Sequence, residues 1–329
     1  MTTPTASLVI ETHNLHGAAL DAQHAALDRL LRHLAPQLAP HDDLEIVLTH
    51  EGVAEPHHAS ALAAALGRPI AHVIVPDGAT YYDAKNAGFH ASHGDVVVFA
   101  DSDCWPSPGW LEGLLTPFGD PSVGVVAGRT RYRDDTLGRA VSLLDFLYVT
   151  RREGERVLTR NFYANNVAFR REVFAAHAYR AGQPFFRGHC QVLGLELAEA
   201  GIPIDFRSDA VTVHRFPDRL AELFELRMRR GGDLAHLAPR ISAHLGLSVA
   251  PSLATTVAWI ARSAIAHETL RESALSSFDR LRVEGTSLAV ATLDGIGSIV
   301  RRDVRARGLG YVTDRDGLAR DTGSQGLSL

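Results

Sequence analysis

The sequence predicts an α/β fold with a mostly parallel central sheet flanked by helices and a helical extension at the C-terminus. Four short runs of apolar and β-branched residues occur in the first hundred residues, with segments of helical spacing between them. This alternation is typical of parallel strands joined by right-handed crossovers. From residue 239 onward the apolar residues keep near-helical spacing without clear strands, which predicts the helical extension.

The elements follow in chain order. We expect the strands of the first half at 7–11, 45–49, 72–75 and 96–100, and its helices at 18–34, 59–66 and 81–92. In the second half we expect strands at 123–128 and 203–206 and helices at 137–153, 171–176 and 191–200. A short apolar run follows at 211–213. We expect three regions, which are 1–105, 106–238 and 239–329.

Composition excludes some classes of function. The formal net charge is −5, so sequence-independent binding of nucleic acid lacks its electrostatic basis. Two cysteines, Cys104 and Cys190, are too few for a disulfide framework, which favours a reducing compartment. The first residues lack the basic and apolar stretches of a secretory signal. We therefore expect a cytoplasmic protein.

Polar residues follow each predicted strand of the first half. In open α/β sheets the ligand crevice lies beyond the carboxyl ends of the strands, so these residues are candidates for binding a ligand. The triplet Asp101-Ser102-Asp103 follows the apolar strand at 96–100. Its carboxylates suit Mg²⁺ or Mn²⁺, which binds substrate phosphates at its open positions. A solvated loop is the alternative. The other candidates at strand ends are Thr12, Asn14, Glu51 and Asp77.

Several segments together resemble the family 2 glycosyltransferases, which have the GT-A fold. The specific part runs from Lys85 to Leu111: Ala84-Lys85-Asn86-Ala87-Gly88 is similar to the family's A-R-N-x-G, the strand ending in Asp101-Ser102-Asp103 to its D-x-D, and Pro108-Gly109-Trp110-Leu111 to its P-x-W-L. Weaker matches occur at residues 10–14, 50–53, 164–171 and 195–214. The resemblance covers roughly residues 7 to 232.

The resemblance implies a role for most of these residues. Asp101 and Asp103 would bind the cation, with His214 as a third metal ligand at a strand end. Thr12, Asn14 and Glu51 would contact the nucleoside, and Lys85 the phosphates; ordinary turn residues and a solvated helix face are the alternatives. Arg230 would close over the diphosphate, unless Arg227, Arg229 and Arg230 simply form a basic helix end. The acceptor site would include Trp110, Asn165 and Asn166, although the asparagines could instead cap a helix.

One departure concerns the catalytic base. The family's E-D pair, which supplies the base that deprotonates the acceptor, aligns with His189 and Cys190. Both carboxylates are therefore replaced. His189 is the candidate base, because an imidazole titrates in the right range. The remaining alternatives are a base from elsewhere, an acceptor that needs little deprotonation, or no catalysis.

The function predicted is metal-dependent transfer of a sugar, with inversion, from a nucleotide-diphosphate donor to an unknown glycan, lipid or small-molecule acceptor. A UDP-sugar is favoured as donor, and Mn²⁺ or Mg²⁺ as cofactor. The alternative is a non-catalytic protein that binds nucleotide sugars. We expect the C-terminal helices to pack against the rest of the protein, with a homodimer contact or a position on a membrane surface as the alternatives.

Overall fold

A computed structural model provides the structure of the chain. The residues it describes are 4–13, 20–52, 63–64, 66–76, 78–180, 187–248, 250–271, 273–300, 311–313 and 319–321. Two of the predicted site residues, Asn14 and Asp77, lie outside these ranges, as does most of the helix expected at 59–66.

The N-terminal half alternates strands and helices, as the sequence predicts. The elements are β1 (Ala6–Glu11), α1 (Leu20–Leu38), β2 (Glu45–His50), β3 (Ala71–Ile74), α2 (Tyr81–Ala91) and β4 (Val96–Asp101). The strands lie in the order β3-β2-β1-β4 and all pair in parallel. The carboxyl ends of these strands therefore meet at one edge of the sheet, where the predicted ligand crevice lies.

The second half extends the same sheet. Its elements are β5 (Cys104–Pro106), α3 (Trp110–Leu115), a 3₁₀ turn (Thr116–Gly119), β6 (Val125–Arg131), α4 (Thr136–Asp145), β7 (Thr150–Glu153), β8 (Arg156–Thr159), β9 (Asn166–Arg170), α5 (Arg171–Ala176), α6 (His189–Glu199) and β10 (Ile204–His214). The predicted runs at 203–206 and 211–213 belong to the single strand β10, which has an irregularity between Arg207 and Val211.

The ten-stranded sheet is mixed, so the expectation of a mostly parallel sheet holds only in part. Its order is β3-β2-β1-β4-β9-β6-β10-β8-β7, and β5 pairs with β10 off this path. In addition to the parallel pairs of the first half, β6 and β10 are parallel. The antiparallel pairs are β4–β9, β6–β9, β5–β10, β8–β10 and β7–β8. The antiparallel strand β9 thus joins two parallel parts.

The helix predicted at 137–153 is wrong in its second half. Helix α4 ends at Asp145, and the chain continues into a hairpin of β7 and β8 that turns at Gly154, where φ is +61°. All four residues of β7 are exposed. Because this strand is charged and buries no apolar face, its sequence lacks the alternation that identifies a strand.

Each face of the sheet has its own apolar core. Leu8, Ile10 and Val98 point to one face, where α1 and α3 cover them. Val9 and Val97 point to the other face, where α2 and α6 pack. Successive residues of β1 and β4 are therefore buried on opposite faces, which explains why these strands have unbroken apolar sequences.

Three long helices form the C-terminal part. They are α7 (Leu220–His244), α8 (Pro251–Arg271) and α9 (Ser277–Val300), and a short ribbon of β11 (Tyr311–Thr313) and β12 (Ala319–Asp321) follows. The expected boundary at 238/239 lies inside α7, which continues through Pro239. Helices α7 and α9 approach so closely at Gly297 that a Cβ there would lie 2.5 Å from the carbonyl oxygen of Met228. Apolar residues of α8 and α9 share a core with α4, so these helices pack on the preceding domain.

Candidate active site

The triplet Asp101-Ser102-Asp103 joins β4 to β5. Strand β5 pairs antiparallel with the end of β10, which places Cys104 opposite His214. The backbone N–H of Arg215 also donates to the carbonyl oxygen of Asp103, at 2.9 Å. Backbone pairing thus brings Asp103 and His214 together, although they are 111 positions apart in the sequence.

Asp103 and His214 face each other at a partly open position. Asp103 Oδ2 lies 3.7 Å from His214 Nε2, and their side chains are 12% and 13% exposed. His214 Nδ1 lies 2.8 Å from the carbonyl oxygen of Arg215. A carbonyl oxygen only accepts, so Nδ1 carries the hydrogen and donates it. In the neutral ring Nε2 therefore presents its lone pair towards Asp103.

These groups fit a divalent cation. Among the described residues, potential ligand atoms of Asp103, Cys104 and His214 lie within 4.8 Å of one another. Burial raises the pKa of the Cys104 thiol well above its usual value. Mg²⁺ and Mn²⁺ prefer carboxylate oxygens to a thiol, so Asp103 and His214 are the candidate ligands. One carboxylate and one imidazole leave most positions of a cation open for other oxygens. The hydrogen bond from His214 Nδ1 to a carbonyl is the support that metal-binding histidines usually have.

Asp101, the other predicted metal ligand, is placed differently. Its carboxylate has no exposed surface and lies 2.6 Å from Lys85 Nζ. The Tyr81 hydroxyl lies 2.8 Å and 3.0 Å from the two carboxylate oxygens and donates to them. Asp101 is therefore held inside the protein and does not join Asp103 and His214.

Lys85 is the partner of Asp101 inside the protein. Its ammonium group is completely buried, so in this conformation it neither reaches a phosphate nor lies on a solvated helix face, the two roles that the sequence suggests. Helix α2 carries Lys85 close to β1, because Gly88 allows the approach: a Cβ at this position would lie 2.3 Å from Val9 Cγ1. The one lysine of the chain serves as an internal counter-ion.

Glu11 completes this buried group and is a residue to which the sequence analysis gave no role. It ends β1 directly opposite Asp101 of β4 and is fully buried. Burial raises the pKa of Glu11 well above its usual value, and the negative charge of Asp101 adds to the effect, while Lys85 opposes it. The signal was present in the sequence, since an acidic residue that ends an unbroken apolar strand needs a partner. We call Glu11, Tyr81, Lys85 and Asp101 the buried cluster.

The residues expected at the nucleoside lie around the ends of β1 and β2. Thr12 is 2% exposed, and its hydroxyl donates to the carbonyl oxygen of Thr49 at 2.9 Å, which agrees with the turn alternative. Glu51 Oε1 lies 3.8 Å from His13 Nδ1. Next to Glu51, His50 accepts from the N–H of Gly52, and burial lowers its pKa to about 4. His50 is therefore neutral at neutral pH.

The three residues expected at the acceptor are internal. Trp110 has no exposed surface, and its Nε1 donates to Asn166 Oδ1 at 2.8 Å. Asn166 Nδ2 donates in turn to the carbonyl oxygen of Ala210, at 3.0 Å. Asn165 Oδ1 accepts from the Thr130 hydroxyl at 2.9 Å. These side chains join β9 to its neighbours. Because Asn166 begins a strand, the helix-capping alternative is wrong. The acceptor role of the three residues stays a prediction.

Arg230 belongs to a network of ion pairs and hydrogen bonds around Asp145, which reaches His214 through the ring of Tyr132. Its Nε lies 3.4 Å from Asp145 Oδ2, and Arg227, which is fully buried, lies 2.5 Å from Asp145 Oδ1. Asp145 raises the pKa of Arg230 against the effect of burial. The Tyr132 hydroxyl donates to the same carboxylate at 2.9 Å, and the Tyr132 ring packs edge-on against His214, with centroids 5.5 Å apart. Arg230 thus lies inside α7 and not at a helix end.

His189 begins α6 and stacks on Tyr82, with ring centroids 4.0 Å apart. Burial lowers its pKa to about 4, so the imidazole is neutral at pH 7 and able to accept a proton. Cys190 is buried, and burial raises the pKa of its thiol. Of the two residues that the sequence analysis aligns with the family's acidic pair, His189 is the one that is neutral at pH 7 and able to accept a proton.

Comparison with solved structures defines the class of the protein. The mannosyltransferase PcManGT from Pyrobaculum calidifontis, solved with GDP-Man and Mn²⁺, matches over 92% of this chain and 89% of its own, with a TM-score of 0.58 and 17% identity. Glucosyl-3-phosphoglycerate synthase from Mycobacterium tuberculosis matches over 75% of this chain and 82% of its own, with a TM-score of 0.46 and 19% identity. The fold is that of the GT-A glycosyltransferases.

Sequence comparison then gives the family. The family described as Glycosyl transferase family 2 matches residues 7–178, which is more than half of the chain. The chain belongs to this family. A pre-mycofactocin glycosyltransferase of Mycobacterium tuberculosis is 52% identical over 46 residues, 14% of this chain. That match spans only 10% of the relative's length.

Proposed function

We propose that this protein transfers a sugar from a nucleotide-diphosphate donor and uses a divalent cation held by Asp103 and His214. The observation that carries the proposal is the geometry of this pair, in which His214 Nε2 faces Asp103 Oδ2 at 3.7 Å while Nδ1 is held by a backbone carbonyl. Such a pair binds a cation and leaves room for phosphate oxygens. Mn²⁺ and Mg²⁺ are the ions we propose.

In this proposal each residue of the site has its own role. Asp103 supplies negative charge, and His214 supplies a lone pair whose direction the Arg215 carbonyl fixes. A bound cation would stabilise the negative charge that develops on the departing diphosphate. Arg230 carries a further positive charge near Tyr132, whose ring packs against His214, and we propose that it helps to retain the diphosphate.

The donor is proposed to be a UDP-sugar, as the sequence reasoning favours. PcManGT, which shares the fold, was solved with GDP-Man. GDP-sugars therefore belong in the same test. The acceptor remains to be found among glycans, lipids and small molecules.

Inverting transfer needs a group that takes the proton of the acceptor hydroxyl. We propose His189 for this role, because it stands in place of the family's acidic pair and is neutral at pH 7. Its pKa of about 4 makes it about as strong a base as an ordinary carboxylate. The alternative is a protein that binds the donor without catalysis.

Nucleotide release tests the proposal. The full chain is incubated with a panel of UDP- and GDP-sugars, with and without Mn²⁺, in the presence of acceptor extracts, while calorimetry measures donor binding. We expect release with one donor and a requirement for the cation. His189→Ala should lower turnover more than donor binding, and His177→Ala, a change at a histidine of the loop after α5, is the matched control.

The results separate the alternatives. Donor binding without release from any donor would overturn the catalytic proposal and favour the non-catalytic protein. Release that is unaffected by a chelator would contradict the metal proposal. Turnover of His189→Ala equal to that of the unchanged protein would exclude His189 as the base.

A further inference from the structure

The outer side of α9 carries an exposed apolar stripe. Six large apolar side chains are between 44% and 78% exposed, and their spacing puts them on one side of the helix. They are Phe278, Leu281, Leu288, Ile296, Ile299 and Val300. We call them the α9 stripe. Soluble monomers rarely leave a contiguous apolar surface of this length in water.

The opposite side of α9 is part of the protein core. Val283 and Val290 are buried, and Gly297 lies against the backbone of α7. Asp294 is fully buried, 3.0 Å from Arg227 Nε through its Oδ1, and also pairs with Arg262. By length and composition, α9 is the one helix in the described part of the chain that is apolar enough to cross a membrane. Its buried ion pairs to α7 and α8 instead fix it lengthwise against the protein.

The charged residues of α9 are distributed unevenly around the helix. The exposed side carries Arg282, whose guanidinium lies 5.8 Å from the Phe278 ring centroid. Glu284 is turned towards α8, where it lies 2.6 Å from His267. Asp279 accepts a hydrogen bond from the Ser276 hydroxyl at the start of the helix. The stripe itself is therefore free of negative charge among the described residues.

The sequence directly after the helix is basic. Residues 301–307 read Arg-Arg-Asp-Val-Arg-Ala-Arg, with four arginines and one aspartate, in a chain whose formal net charge is −5. An apolar helix face followed by clustered arginines is the pattern that binds anionic lipid. A bilayer with anionic lipid offers an apolar acyl region directly beneath negatively charged headgroups. The first matches the α9 stripe, and the second matches the arginines in the sequence that follows.

We propose that the α9 stripe lies on the surface of a bilayer that contains anionic lipid, with the helix axis parallel to the membrane plane. The apolar side chains enter the boundary of the acyl region, and the positive charge of the sequence after the helix favours anionic headgroups. The buried side of α9 keeps its contacts with α7 and α8. The glycosyltransferase domain is thus tethered to the membrane and does not span it.

Vesicle flotation tests this proposal on the full chain. Vesicles of phosphatidylcholine alone are compared with vesicles that also contain phosphatidylglycerol. We expect the protein to float with the anionic vesicles, and the bound fraction to fall as salt is raised. The double variant Leu281→Glu/Ile299→Glu should reduce the partition coefficient roughly tenfold or more, because two exposed apolar anchors are lost.

Controls keep the test decisive. Ile74→Glu places the same charge on another exposed apolar residue, at the far edge of the sheet, and should leave binding unchanged. Circular dichroism shows that each variant is folded. Failure to float with anionic vesicles would overturn the proposal. So would a dimer, measured by light scattering without lipid, that the Leu281→Glu/Ile299→Glu variant converts to a monomer, because the stripe would then bind a second copy.

Discussion

Asp101 and Asp103 stand two residues apart, yet the protein places them in opposite surroundings. Asp101 has no exposed surface and is surrounded by Lys85 and Tyr81. Asp103 is partly open and faces the imidazole of His214. In a continuous strand, two residues that are two positions apart point to the same face of the sheet. Strand β4 ends at Asp101, and the change of direction after it gives Asp103 different surroundings.

The difference teaches that a D-x-D triplet need not be one ligand set. Asp101 neutralises a buried ammonium and so belongs to the balance of charges that keeps the sheet edge folded. Asp103 is available to a ligand from outside. Changes at the two sites should therefore have separable effects, with stability lost at the buried cluster and cation binding lost at the open pair.

Lys85→Met should produce the largest effect. The variant leaves Asp101 and Glu11 buried without their counter-ion, and we expect the free energy of unfolding to fall by about 3–5 kcal/mol. Urea unfolding followed by circular dichroism measures this loss. The double variant Lys85→Met/Asp101→Asn removes one stranded charge as well and should recover part of the stability. A Lys85→Met protein as stable as the unchanged one would contradict the role of the buried pair.

Asp103→Ala should act on binding and leave the fold intact. We expect Mn²⁺-dependent donor affinity to fall by about 100-fold or more, since a direct ligand is lost. Calorimetry with the nucleotide diphosphate and Mn²⁺ measures the affinity, and the unfolding midpoint is the control. Unchanged affinity in Mn²⁺ would remove Asp103 from the cation site.

Much of this arrangement was predictable from sequence. The apolar runs that form β1 and β4, and the polar residues that end them, identify the parallel half and its ligand edge. The family resemblance pointed to His214 as the end of a strand, and β10 does end there. These features are local, because a strand and its final residue are adjacent in the chain.

The missed features depend on distant partners. Lys85 has an ordinary place on a helix, and only the packing of α2 on β1 puts its ammonium against Asp101. Asn166 follows the family pattern, but its role is set by Trp110 and by a carbonyl of β10. The antiparallel strand β9 was not predicted either. Such contacts are fixed by tertiary packing, which periodicity does not reveal.

Glu11→Gln sharpens the description of the buried cluster, with a smaller effect. At neutral pH, folding must either bury the Glu11 carboxylate beside Asp101 or protonate it, whereas the amide carries no charge. We expect the variant to be more stable by about 1–2 kcal/mol at neutral pH. The pKa of Glu11 is raised in the folded state, so the unchanged protein recovers stability as the pH falls through that pKa. The difference between the proteins should therefore shrink on acidification, and a difference that grew would refute this account.

Tyr132→Phe should have the smallest effect and tests what holds the open pair. The change removes the hydrogen bond to Asp145 but keeps the ring against His214, and Arg227 and Arg230 still neutralise the carboxylate. We expect a loss of about 1 kcal/mol in unfolding free energy and a change in Mn²⁺ affinity below about threefold. Tyr132→Ala also removes the ring and should weaken Mn²⁺ binding roughly tenfold, because His214 then loses the surface that orients it. Equal metal affinities in the two variants would show that the backbone carbonyl of Arg215 alone is enough to orient the imidazole.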